Sequence, residues 1–272
     1  MREVYRSPYQ TFILFASEAL LVEVWNETSD DLTDEIYKQE YLKVVEALFP
    51  IADQYDQLLI DARNFQYPVS PTLQQWHSEH ILSKFNQKTE TRIAIVKSES
   101  PLAQYALEQT LEENDLTEEK EKIKLFDQMN EASQWLIGKT LDCRTTPAQI
   151  ICYQQRTETL TQVWNAQSEN IESATLTNEF HDFAALVKAY QPFKLLLNAL
   201  NLNFPILPET QTWFNQQIKP QLLGNVKYIA LVISKNAHAQ LSIDQMLEEI
   251  KAHNLTIESF ETYQEASQWL NP

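Results

Sequence analysis

Leu58-Leu59-Ile60-Asp61-Ala62-Arg63-Asn64-Phe65-Gln66-Tyr67-Pro68-Val69-Ser70-Pro71-Thr72-Leu73-Gln74-Gln75-Trp76 is written a second time in this chain, as Leu195-Leu196-Leu197-Asn198-Ala199-Leu200-Asn201-Leu202-Asn203-Phe204-Pro205-Ile206-Leu207-Pro208-Glu209-Thr210-Gln211-Thr212-Trp213. Pro68 answers Pro205, Pro71 answers Pro208 and Trp76 answers Trp213, all at one separation, so the chain is a tandem duplication. One copy reads as an apolar strand, a turn stiffened by proline, and a helix. The second proline falls in that helix's first turn, where a missing N–H costs nothing. Such a strand-to-helix unit belongs to an α/β domain.

Moving outward, the match continues on both sides. Val163-Trp164-Asn165 answers Val24-Trp25-Asn26, and Ile229-Ala230-Leu231-Val232 answers Ile93-Ala94-Ile95-Val96. Glu265-Ala266-Ser267-Gln268-Trp269-Leu270 repeats Glu131-Ala132-Ser133-Gln134-Trp135-Leu136 letter for letter. The separation shrinks slightly along the chain, which places the small deletions in loops. A chain of 272 residues then divides into two lobes, residues 1–138 and 139–272, each long enough to bury its own core.

Within a lobe, the runs Thr11 to Phe15 and Leu20 to Trp25 read as a hairpin. A helix capped by Thr33 follows, with Ile36, Tyr37, Tyr41, Val44, Val45 and Leu48 on one apolar face. Strands at Gln57 to Asp61, Arg92 to Val96 and Ile123 to Phe126 alternate with helices after Pro71, after Pro101 and at Glu131 to Leu136. The predicted order is ββαβαβαβα, a mostly parallel or mixed sheet with packed helices. A duplicated homodimer keeps its isologous interface, so two docked lobes related by a pseudo-two-fold axis are expected, paired within one monomeric chain.

Composition narrows the function classes. The net charge is −17, most of it before Gly138, and an acidic surface repels phosphate backbones and anionic headgroups. Nucleic acid is therefore not an expected partner. No apolar run approaches the roughly 20 residues of a membrane-spanning helix, and no apolar signal region follows the basic start. The two cysteines, Cys143 and Cys152, are too few for a disulfide framework and are expected to be reduced, in a cytoplasmic protein. Only Gly138 and Gly224 occur, so no glycine-rich loop can cradle a pyrophosphate and no nucleotide cofactor is expected. No nucleophile-and-base pairing is evident, so the chain is read as non-enzymatic, without catalytic residues.

Candidate functional residues gather around the repeated stretch. Asp61 and Arg63 lie just past a strand's C-terminal end, where α/β sheets place ligands. The second copy has Asn198 and Leu200 there, which favours an internal ion pair or turn contact. Ser70 before Pro71 has the form of an N-cap. His77 and His80 sit one helical turn apart, as two metal ligands would, but no third ligand is identifiable and no metal is expected. His77 shares a row with Leu73 and Ile81, the position of a partly buried core histidine. Trp76 and Trp213 keep one place in both copies, as packing residues or as partner-binding anchors.

This layout of strand, aspartate, turn and helix, with an opening hairpin and an Ala-x-x-Trp-Leu closing helix, resembles the STAS family, the anti-sigma-factor-antagonist fold, in both halves. The resemblance implies a regulatory protein that binds a protein partner through the helices after the central strands. It also implies a phosphorylation switch at Ser70, although no glycine follows Ser70 and the second copy carries Leu207. Some relatives of that fold hold apolar molecules. A small-molecule or lipid-binding protein with an apolar pocket between sheet and helices is the alternative, and an apolar cavity of a few hundred Å³ is what would favour it.

Overall fold

Alternating apolar runs need a sheet to share and helices to cover it, and both halves of the chain meet that need in the same way. A computed structural model describes residues 1–271 apart from 86–90, 114–121, 147, 166, 167, 169–172, 205 and 252–254; Pro205 of the repeated stretch thus lies outside the described residues. Two compact units are formed, Met1–Gly138 and Lys139–Pro272.

The first unit runs β1 (Arg2–Arg6), β2 (Gln10–Phe15), β3 (Leu20–Trp25), α1 (Asp34–Leu48), β4 (Gln57–Asp61) and α2 (Pro71–His77). A π-helical turn at Ser78–Leu82 links α2 to α3 (Ser83–Phe85). Then come β5 (Arg92–Val96), α4 (Pro101–Glu113), β6 (Ile123–Phe126) and α5 (Met129–Ile137). The second unit runs β7 (Leu141–Thr145), β8 (Gln149–Gln154), β9 (Thr159–Trp164), α6 (Ser173–Tyr190), β10 (Lys194–Asn198), α7 (Pro208–Gln217), α8 (Lys219–Asn225), β11 (Tyr228–Val232), α9 (Ala237–Lys251), β12 (Thr256–Phe260) and α10 (Tyr263–Leu270).

Each unit has a six-stranded mixed sheet whose spatial order is the order of the chain. Its first three strands are antiparallel neighbours and the rest add in parallel. The expected order therefore needs one correction: a strand precedes the hairpin in each unit. Arg2-Glu3-Val4-Tyr5-Arg6 and Leu141-Asp142-Cys143-Arg144-Thr145 carry charges between their apolar residues, as an edge strand does, and so present no apolar run to read.

Several hydrogen bonds recur at matching residues of the two units. Ser29 Oγ donates to the Asn64 carbonyl at 2.8 Å, and Ser168 Oγ to that of Asn201 at 2.9 Å. Gln74 Nε2 reaches the Val69 carbonyl at 3.0 Å, and Gln211 Nε2 that of Ile206 at 2.8 Å. Ser98 N–H donates to Gln104 Oε1 and Ser234 N–H to Gln240 Oε1. Both hairpins turn on a non-glycine residue in the left-handed region, Ala19 at φ 48° and Glu158 at φ 51°.

Strand alternation sends neighbouring residues to opposite faces. In the second unit Leu195, Ile229 and Leu231 join the core under α6 to α9, while Leu196, Ala230 and Val232 pack with Ala266 and Leu270 of α10. In the first unit Ile60 and Ile95 join the cluster of Trp25, Phe65 and Leu73, and α5 packs on β4, β5 and β6. Among the described residues no helix is long and apolar enough to cross a membrane.

The reading of the cysteines is also corrected. Cys143 and Cys152 form a disulfide, their Cα atoms 4.2 Å apart. They are register partners on antiparallel β7 and β8, which sets their side chains side by side. With β7 unrecognised in the sequence, nothing there brought them together.

Candidate functional site

The candidate residues of the repeated stretch divide between two faces of the first sheet. Asp61 alternates with Ile60, so it lies on the face away from the Trp25 cluster. It is 3% exposed, and Arg63 grips it with Nε at 2.8 Å and Nη2 at 2.6 Å. Asp61 Oδ1 also accepts the Arg63 backbone N–H at 3.3 Å. Asn198 Oδ1 accepts the Leu200 N–H at 3.1 Å, so the second unit keeps the turn and drops the ion pair. Ser70 caps α2, its hydroxyl accepting from Leu73 N–H at 3.3 Å.

Trp76, His77 and His80 sit on the helix side. Trp76 is half-buried against the Trp25 cluster, stacks on exposed His80 with ring centroids 5.2 Å apart, and has the Lys38 ammonium 5.7 Å above it. Trp213 is its half-buried counterpart, edge-on to His181 at 4.7 Å and tilted against Phe180 at 6.4 Å. The two histidines turn to different partners: His77 Nδ1 lies 3.1 Å from the Tyr37 hydroxyl, His80 Nδ1 3.0 Å from the Trp76 carbonyl. Among the described residues no three ligating side chains gather as a metal site would require.

His77 leads inward to a cluster the sequence reading passed over. Its ring meets Tyr41 edge-on at 4.4 Å, and Tyr41 lies 4.7 Å from Tyr37. The Tyr41 hydroxyl donates to Glu23 Oε1 at 3.1 Å. Glu23 on β3 is 4% exposed; burial pushes its carboxyl up to about 7, with the bonds from Tyr41 and Trp25 opposing. Burial pushes the His77 imidazole down to about 4 and both tyrosines above their ordinary value. Trp25 and Phe65, 4.4 Å apart, close the cluster. The signal that could have found it is a charged residue inside the apolar run Leu20-Leu21-Val22-Glu23-Val24-Trp25.

Next to Glu23, Gln10 Oε1 is buried with no donor among the described residues. The two residues are diagonal neighbours on β2 and β3, since Gln10 pairs with Trp25. In the second unit the matching pair is joined, Gln162 Nε2 donating to Gln149 Oε1 at 2.6 Å. A protonated Glu23 has one O–H to give in the same place, which agrees with its raised pKa.

The same region of the second unit is hollow. Between β9 to β11 and α6 to α9 lies a cavity of about 60 Å³. Among the described residues Gln162 is the one with a polar side-chain amide in its wall. Position by position the wall answers the first unit's cluster: Gln162 stands for Glu23, Trp164 for Trp25, Phe180 for Tyr41, Phe214 for His77 and Leu202 for Phe65. Loss of hydroxyls, imidazole and carboxyl leaves hydrocarbon, and leucine for phenylalanine leaves space.

Comparison with known proteins adds no relative. No family model matches the chain, and neither a curated protein nor a solved structure matches it. What the geometry offers is one largely buried polar cluster and one small apolar cavity, at matching positions of two similar folds.

Proposed function

We propose that the chain is a binding protein whose second unit holds an apolar small molecule between its sheet and its helices. The cavity carries this reading: it is small, about 60 Å³, which sets the size of the molecule, and its wall is hydrocarbon and aromatic apart from one amide and one indole N–H. Burial of an apolar ligand there is favoured at about 25 cal/mol per Å² removed from water. A protein-partner surface on α2 has less support, because none of the exposed large apolar side chains among the described residues lies on that helix. For the ancestry of each unit a STAS-like relationship stays our proposal, supported by the sequential strand-and-helix order.

The test is a thermal-shift titration with benzene, a small neutral apolar molecule of the kind that enters apolar cavities. Saturable binding is expected, abolished in Leu202→Phe, which installs the side chain that the first unit carries at Phe65. Absence of binding, or binding that Leu202→Phe leaves intact, contradicts the proposal.

A further inference from the structure

The closing helices α5 and α10 are identical from Glu131 to Leu136 and from Glu265 to Leu270, yet their tryptophans keep different company. In the first unit the Arg92 guanidinium lies 5.4 Å, and the Lys124 ammonium 5.0 Å, from the centre of the Trp135 ring. Arg92 also donates to the carbonyls of Trp135 at 3.4 Å and Leu136 at 2.5 Å, in the last turn of α5. A ring's negative face attracts cations, and the first unit supplies its own. In the second unit Tyr228 takes the register place of Arg92 and Glu258 that of Lys124. Tyr228 meets Trp269 edge-on at 6.0 Å, and Phe260 lies 5.7 Å from the same ring. Tyr228 is 39% exposed, and Glu258 is exposed. Lys194, the register neighbour of Tyr228, gives its ammonium to Asn271 Oδ1 at 3.2 Å. Among the described residues no cation stands over Trp269.

Where the first unit sets two cations on a tryptophan, the second sets a ring and a carboxylate in their places, at a helix C-terminus that carries partial negative charge. Such a set attracts a cation and repels an anion. Of the cationic side chains a guanidinium fits best. It stacks flat on an indole and gives a carboxylate two parallel N–H bonds, while an ammonium stays strongly hydrated. The net charge of −17 draws basic partners to the chain.

We infer that Trp269, Tyr228 and Glu258 form a docking surface for an arginine side chain of a partner protein, its guanidinium on the Trp269 ring and its N–H groups donated to Glu258. The incoming side chain takes the part that Arg92 plays over Trp135. Trp269 belongs to the α10 face of the second sheet and the cavity to the other face, so this surface is independent of the apolar-ligand reading.

The experiment titrates the full chain with blocked glycyl-arginyl-glycine and follows the tryptophan indole N–H signals by NMR. A saturable shift of the Trp269 signal is expected, with none at Trp135, whose ring already has its cations. The citrulline counterpart, similar in shape and uncharged, is expected to bind roughly three- to tenfold more weakly. Tyr228→Arg and Glu258→Lys, which install the first unit's residues, should each abolish the response. Should either variant fail to fold, the wild-type contrasts of arginine with citrulline and of Trp269 with Trp135 carry the test. Equal binding of the citrulline peptide, equal shifts at the two tryptophans, or no response overturns the inference. Tighter binding of ethylguanidinium than of the tripeptide would assign the site to a free guanidine and overturn the protein partner.

Discussion

Between sheet and helices the first unit holds a carboxyl, two phenols, an imidazole and two further rings in mutual contact, whereas the second holds an apolar wall around empty space. Around both, matching side chains bond matching backbone carbonyls. The difference between the two interiors lies in the side chains that fill them, and it teaches that a buried polar cluster changes as a set. Removing only Tyr41 would strip Glu23 of a donor, and removing only His77 would take one of its hydrogen-bond partners from the Tyr37 hydroxyl. Each orphaned group costs about 1–3 kcal/mol. At Tyr37, Tyr41 and His77 the second unit has Leu176, Phe180 and Phe214, so the three polar partners are exchanged together.

Glu23 is where the comparison breaks with the largest effect. Its carboxyl titrates near 7 in the fold and near 4.5 when unfolded, so between those values the native chain holds a proton the unfolded chain has released. Its contribution to stability is present below pH 4.5 and lost as pH rises through 7. Glu23→Gln, the residue of the second unit, removes the titration. Urea unfolding should show the variant nearly equal to wild type at pH 4.5 and more stable by about 3 kcal/mol above pH 7. A difference that does not change with pH would mean that Glu23 titrates as an ordinary carboxylate.

The crosslink distinguishes the units next. Cys143 and Cys152 of the second correspond to Val4 and Ile13 of the first. Thiol titration of the denatured, unreduced chain should find no free thiol. Reduction should lower the stability of the second unit by about 2–3 kcal/mol, the loop-closure value for so short a span, and leave the first unit unchanged. Two reactive thiols in the unreduced chain would count against the pairing.

His77 gives the smallest effect, with the opposite sign. Its imidazole titrates near 4 in the fold and near 6.5 when unfolded, so stability is lost as pH falls through that window. His77→Phe, again the second unit's residue, should flatten this acid limb. Denaturant melts should find it less stable than wild type by about 1 kcal/mol at pH 7, from the hydrogen bond lost to the Tyr37 hydroxyl, and more stable by about 2 kcal/mol below pH 4. An unchanged acid limb would show that the histidine ring is hydrated.

Much of this fold was legible in the sequence because duplication writes each signal twice. The prolines, the paired tryptophans and the closing helix marked element boundaries that neither copy would have fixed alone. The edge strands β1 and β7 escaped, since charged residues beside their apolar ones leave no apolar run to read. The Asp61–Arg63 pair and the Ser70 cap follow from local chemistry and were readable. The disulfide was not, because it depends on the register of a strand that had not been recognised. The cavity was the least legible, since a void is written in no residue. It emerges from small losses of volume at places such as Leu202 that converge only in three dimensions.

The most direct test of two like folds, one filled and one hollow, is a crystal structure under xenon pressure, since xenon enters apolar cavities and is excluded from packed polar interiors. The account predicts xenon in the second unit, against Trp164, Leu202 and Phe214, and none among Trp25, Tyr41 and His77. Xenon in the first unit, or in neither, would contradict it.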